Sequence, residues 1–141
     1  MWTNGEPVLI EVGARLSAGI YAVLRRLCGG VCQLDETIDV ILEPVRFLAS
    51  VDEQPALSKR ATDVFLIPPR QERLLRMRGL ETIKTLPPLL SISIGVKPGM
   101  AVNRVAGLLT LIDEKINAIE NDVQTIRELV RNGLFEIENT L

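Results

Sequence analysis

The chain has 141 residues, a formal net charge of −2 and no histidine. Without histidine it lacks the commonest general base and the commonest metal ligand, which argues against histidine-dependent catalysis or metal binding. The small net charge gives no overall attraction to nucleic acid or to an acidic membrane surface. Apolar residues make up 47% of the chain and aromatic residues only 4%, so we expect an aliphatic core with few rings for stacking on bases or sugars.

The N-terminal segment predicts a buried helix that runs from Pro7 to Cys28. Pro7 suits the first turn of a helix, apolar residues recur on one face after it, and Gly29 and Gly30 are typical of a helix end. A strand at Val8–Val12 is an open alternative, because that run is rich in β-branched residues.

Charged residues interrupt the first apolar run at Glu11 and Arg15. The run is therefore too short for a transmembrane helix, and the residues before it lack the basic region of a signal peptide. We expect a protein that stays in the cytoplasm or is carried within a larger particle.

Two cysteines, Cys28 and Cys32, are separated by three residues. They can form a disulfide or a redox pair, but two small buried thiols in a reducing compartment are the simpler interpretation. Two thiols without histidine cannot complete a four-ligand zinc site within one chain. We therefore predict no metal and no other cofactor.

A second helical segment is expected to begin at Asp35, which can cap it. Pro44 lies inside this segment, and it should kink or split the helix near Val40 because proline lacks a backbone donor. A short β-prone run at Val64–Ile67 follows and is ended by a pair of prolines.

Residues 69–86 predict a helix whose outer face is rich in arginine. Between Lys59 and Lys84 there are seven basic and three acidic residues. We interpret this face as a site for an acidic protein partner or a neighbouring subunit, because the segment from Asp113 onward has seven acidic and three basic residues. The residues assigned to the face are Arg70, Arg73, Arg76 and Arg78.

The stretch from Val102 to Val130 has apolar residues at alternating spacings of three and four. Over roughly four heptads this pattern predicts a coiled-coil helix about 43 Å long. Every d position is β-branched, which favours three or more strands, so we expect a parallel homotrimer. Packing of this helix against other helices of its own chain is the alternative. The predicted seam consists of Val102, Val105, Leu109, Ile112, Ile116, Ile119, Val123, Ile126 and Val130.

Together these elements predict a mainly α protein. Residues 1–88 form a helical, bundle-like globular part, and residues 89–99 form a strand and turn that join it to the next segment. Residues 100–133 form the coiled-coil oligomerisation helix. Residues 134–141 form a short tail, which is either a frayed helical turn or an added strand.

No motif in the sequence indicates an enzyme or a small-molecule substrate. Paired carboxylates such as Asp35 and Asp39 are most simply helix caps and solvated faces, and no phosphate-binding glycine motif is present. We favour a structural or assembly protein that self-associates through the coiled coil, of the kind found as a minor component of a virion, tail or secretion assembly. A nucleic-acid-associated adaptor that uses the arginine-rich helix is the first alternative, and a membrane-associated oligomer is the more distant one.

Overall fold

The structure is a computed structural model that describes residues 2–3, 6–7, 16, 20–53, 56–102 and 104–138. The chain divides into two compact units, Met1–Ala56 and Leu57–Leu141. The predicted division after residue 88 falls inside the second of these units.

The described part of the first unit contains a short antiparallel strand pair and three helices. These elements are β1 (Trp2–Thr3), β2 (Glu6–Pro7), α1 (Tyr21–Gly29), α2 (Gln33–Leu42) and α3 (Pro44–Ser50).

Two predicted helix boundaries in this unit are confirmed. Gly30 ends α1 in the left-handed conformation at φ 77°, and its N–H donates to the carbonyl of Arg26. Pro44 splits the second helical segment, since α2 ends at Leu42 and α3 begins at the proline itself. Proline fits this first helical position because no intrahelical hydrogen bond needs its missing N–H there.

The start of the first helix was predicted wrongly. Pro7 lies in strand β2, and the described helix α1 begins only at Tyr21. Most of the remaining predicted helix, residues 8–15 and 17–19, lies outside the described residues. Asp35 also acts differently from the prediction, because α2 begins at Gln33 after the N-cap Cys32.

The described part of the second unit contains five strands and two helices. They are β3 (Arg60–Leu66), β4 (Leu74–Met77), α4 (Leu80–Lys84), β5 (Leu89–Ile94), β6 (Gly107–Asp113), α5 (Ile116–Arg131) and β7 (Phe135–Ile137).

Strand β6 is the centre of a three-stranded antiparallel sheet in the order β3–β6–β5. Val64 of β3 and Ile92 of β5 both lie opposite Leu109 of β6. Because alternate residues of a strand point to opposite faces, Leu109 and Leu111 share one face, where both are fully buried together with core residues of α5. The core comprises Leu66, Leu74, Ile83, Val96, Val102, Ala106, Leu109, Leu111, Ile119, Ile126, Leu134 and Phe135.

The predicted coiled-coil helix is wrong, since residues 107–113 form β6 and α5 begins only at Ile116. The spacing misled because nearly every residue from Val105 to Ile112 is apolar, so a helical period matches that run by chance. The seam is divided accordingly: Val102 and Val105 precede β6, Leu109 and Ile112 lie on β6, and Ile116, Ile119, Val123, Ile126 and Val130 lie on α5. Self-association itself stays a prediction.

The predicted helix at 69–86 is also wrong, because strand β4 and the short helix α4 occupy that segment. Gly79 separates the two elements at φ 78°, a left-handed conformation that interrupts a helix. β4 pairs with β7, with Met77 opposite Phe135, and this distant partner is invisible to local periodicity.

The fold is therefore a mixed α and β fold with antiparallel sheets, not a mainly α coiled-coil protein. The strand predicted within residues 89–99 and the open alternative of an added strand near the C-terminus correspond to β5 and β7. None of the described helices combines the length and the hydropathy that a bilayer crossing requires.

Candidate functional site

The predicted arginine face lies around strand β4 and is bound by acidic residues of the same chain. Arg76 and Arg78 both contact the Glu136 carboxylate on β7, and Arg78 Nε lies 2.8 Å from Glu136 Oε2. Arg73 Nε lies 3.6 Å from Glu138 Oε2. The hydrogen bonds from Arg76 and then Arg78 lower the pKa of Glu136 below its ordinary value.

The acidic complement that the sequence indicated is thus supplied, for three of the four arginines, within the chain. All three ion pairs are exposed, so each contributes little to stability. Arg70 forms no ion pair within the described residues. Binding of an outside protein to this face stays a prediction.

A recess of the second unit lies between strand β3 and helix α5. Two adjoining hollows of about 490 and 670 Å³ share Thr62, Val123 and Arg127, and together they form one continuous groove, called here the β3–α5 groove. Its lining alternates apolar residues with amides and charged groups. Besides the shared three it includes Arg60, Ala61, Asp63, Val64, Phe65, Ile67, Ile116, Ile119, Glu120, Asn121, Gln124, Ile126, Val130 and Arg131.

Three arginines line this groove and have no acidic partner, unlike the arginines in and beside β4. Arg60, Arg127 and Arg131 form no ion pair within the described residues. Arg127 and Arg131 are four positions apart on α5, so they lie on the same side of the helix. These guanidinium groups are available to a carboxylate or phosphate supplied from outside the chain.

Asp63 places a buried carboxylate at the groove. Its Oδ1 accepts a 2.8 Å hydrogen bond from the Thr110 hydroxyl, and Thr110 is 1% exposed. Its Oδ2 is buried and has no hydrogen-bond partner among the described residues. A buried oxygen without a hydrogen-bond partner lowers the stability of the folded state.

A second polar cluster joins α1 to α2 in the first unit. The Asp35 carboxylate accepts the Cys32 N–H at 3.0 Å and forms an ion pair with Arg26, whose Nη2 lies 4.0 Å from Cys32 Sγ. Hydrogen bonds from Cys32 first, and then from Arg26, lower the pKa of Asp35. Cys28 and Cys32 are both buried. The cluster is a helix cap with a tethering ion pair.

The groove was missed by sequence reasoning. Arg60 and Arg127 are far apart in the chain, and only the packing of α5 beside β3 brings them to one recess. No local signal singles them out, since Arg60 is one of the seven basic residues between Lys59 and Lys84 and Arg127 lies in an ordinary amphipathic segment. Within the described residues no group of three or more His, Cys, Asp or Glu side chains is placed to hold a metal ion.

No protein-family model matches the chain. It is 30% identical over 112 residues to dapdiamide A synthase of Enterobacter agglomerans, an alignment that covers 78% of this chain and 26% of that protein. The crystal structure of an L-amino acid ligase from Bacillus licheniformis resembles it with a TM-score of 0.65 at 18% identity, covering 98% of this chain and 34% of that one. The chain thus spans about a quarter to a third of the proteins that it matches.

These similarities correct the functional interpretation of the sequence. The prediction of a structural coiled-coil assembly protein that is not an enzyme was wrong, because both similar proteins are enzymes by name. Neither similar protein is named as a component of a virion, tail or secretion assembly, the role predicted from the sequence. The structural likeness itself establishes the fold, which is that of part of an amino acid ligase.

Proposed function

We propose that this chain is part of an enzyme that joins amino acids through an amide bond. The observation that carries the proposal is the 30% identity to a synthase over 78% of the chain. The likeness of nearly the whole chain to part of an L-amino acid ligase supports it from the side of the fold.

A role within a larger ligase also accounts for the surface of the first unit. On α2 and α3 a group of large aliphatic side chains is between 68% and 82% exposed. An apolar patch of this kind is typical of a surface that other polypeptide covers. The group consists of Ile41, Leu42, Val45 and Leu48.

The proposed reaction needs an activated carboxyl group, because a free carboxylate and an amine do not condense favourably in water. A nucleoside triphosphate is the class of co-substrate that supplies such activation, by transferring a phosphoryl group to the carboxylate. The chain has no histidine, so any general base that it contributes to this reaction must be a different side chain, such as a carboxylate or an amine.

A chimaera tests the proposal. The matched segment of dapdiamide A synthase is replaced by this chain, and amide product and nucleoside triphosphate cleavage are measured by mass spectrometry and phosphate release. We expect product well above that of the synthase with the segment deleted.

A second chimaera that carries Leu109→Asp is the control, because a charge at this fully buried position should unfold the segment and abolish product. A chimaera that unfolds cooperatively, and therefore folds, but forms no product with any pair of amino acids contradicts the proposal.

A further inference from the structure

One wall of the β3–α5 groove is the open edge of a sheet. Among the described strands, β3 pairs with β6 on one side only, so its other edge carries main-chain groups without a sheet partner. Residues from both faces of β3 line the groove, Thr62 and Val64 from one face and Asp63 and Phe65 from the other. The groove therefore follows the edge of the strand rather than one of its faces.

The dimensions of the groove match an extended peptide. β3 has seven residues, or about 23 Å, and α5 has sixteen residues, or about 24 Å. The N-terminal half of each element lines one hollow and the C-terminal half lines the other, so the two elements run side by side in the same direction. A recess of this length with one strand edge accommodates a single added strand.

The two faces of such an added strand would contact different kinds of side chain. Thr62 and Val64 mark the side of β3 that faces the core and α5, and on this side Arg127 and Arg131 border the groove. On the other side Phe65 and Ile67 are 54% and 55% exposed. Because side chains alternate along a strand, an incoming segment would direct every second residue toward the arginines and the residues between toward the apolar pair.

We propose that the β3–α5 groove binds an extended acidic segment of a partner protein, which adds to the sheet as a strand beside β3. Its acidic residues alternate with apolar ones, the acidic residues pairing with Arg127 and Arg131 and the apolar residues covering Phe65 and Ile67. Main-chain hydrogen bonds to β3 give affinity, and the alternation gives specificity. The inference does not depend on the proposed ligase function.

A second copy of this chain does not satisfy the same groove. Symmetric pairing of two β3 edges would bring the three unpaired arginines of one copy near those of the other, and would place Asp63 near its own counterpart. Like charges across an interface are unfavourable, so the occupant must carry the opposite charge at these positions.

A synthetic peptide tests the proposal on the full chain. The probe is an acetylated and amidated peptide of about eight alternating glutamate and valine residues, long enough to span β3. We expect it to bind in calorimetry, and we expect Arg127→Glu with Arg131→Glu to weaken its binding about tenfold or more. Arg70→Glu is the matched control, an unpaired exposed arginine outside the groove, and should change the affinity by less than about twofold.

N-methylation of the peptide separates strand addition from attraction between charges, and it leaves the protein unaltered. Two peptides are made, with every second backbone nitrogen methylated in opposite registers. If the segment adds as a strand, one register abolishes binding and the other retains it, because only alternate N–H groups face β3. Equal binding of both registers, no binding of the parent peptide, or dimerisation of the free chain through β3 would each overturn the proposal.

Discussion

Asp122 on α5 has a carboxylate oxygen that is buried and has no hydrogen-bond partner among the described residues. Burial first, and then the negative charge of Asp113, raise the pKa of Asp122 above its ordinary value of 3.8. The folded state therefore binds this proton more tightly than the unfolded state does. The free energy of unfolding therefore falls as the pH rises from 3.8 through the raised pKa of Asp122, and the penalty is fully present above that pKa.

Asp122→Asn should remove this penalty. We expect the variant to be more stable at about pH 7, by less than about 1 kcal/mol, and we expect the gain to shrink toward zero below the ordinary carboxyl pKa. Urea unfolding at about pH 7 and about pH 3.5 measures both values. Glu120→Gln, at an exposed carboxylate on the same helix, should show no such pH-dependent gain, and an equal gain there would contradict the prediction.

Gly107 begins β6 at a point where the neighbouring strands leave no room for a side chain. An added Cβ would lie 2.8 Å from both the Ser93 carbonyl oxygen and the Ile94 Cδ1 atom. We expect Gly107→Ala to destabilise the protein by about 1–3 kcal/mol, measured by urea unfolding, because β5 must shift. Gly95→Ala is the control, since its Cβ would meet only an ordinary contact at 3.8 Å, and a comparable loss there would refute the steric reason.

At the scale of elements, β6 decides the fold of the second unit. A strand and a heptad seam place different residues inside: in the strand Leu111 is fully buried and Ile112 is half-buried, whereas in the seam Ile112 is internal and Leu111 is not. In any run that is apolar at nearly every position, the burial of individual residues likewise distinguishes a strand from a helix.

Alanine substitutions in β6 test this distinction. Leu111→Ala should lower the free energy of unfolding by about 2–5 kcal/mol, because it leaves a cavity in the closed core, and Ile112→Ala should lower it by clearly less. Urea unfolding of the two variants gives the comparison. A larger loss from Ile112→Ala would restore the helical interpretation of this segment.

At the scale of the whole molecule, the core cluster lies entirely within the second unit, from Leu66 to Phe135. A fragment of residues 57–141 should therefore fold without the first unit and unfold cooperatively in urea, followed by circular dichroism. The same fragment with Leu109→Asp should show no cooperative transition. A gradual, non-cooperative transition of the unsubstituted fragment would show that the second unit needs the first.

Local features of the chain were determined by the sequence alone. The end of α1 at Gly30, the break at Pro44 and the turn at Pro98 and Gly99 follow from backbone angles that these residues permit or forbid, whatever surrounds them. The strand β5 was also predictable, because its polar and apolar residues alternate within six positions.

The tertiary structure alone decided the features that matter for the candidate site. β4 is a strand because β7 pairs with it, and the Glu136 carboxylate meets Arg76 from 60 positions away. Arg60 and Arg127 likewise line one groove only because α5 packs beside β3. A strand acquires its identity and its neighbours from a partner that is distant in the chain, so periodicity within one segment could not distinguish strand from helix there or bring these charged residues together.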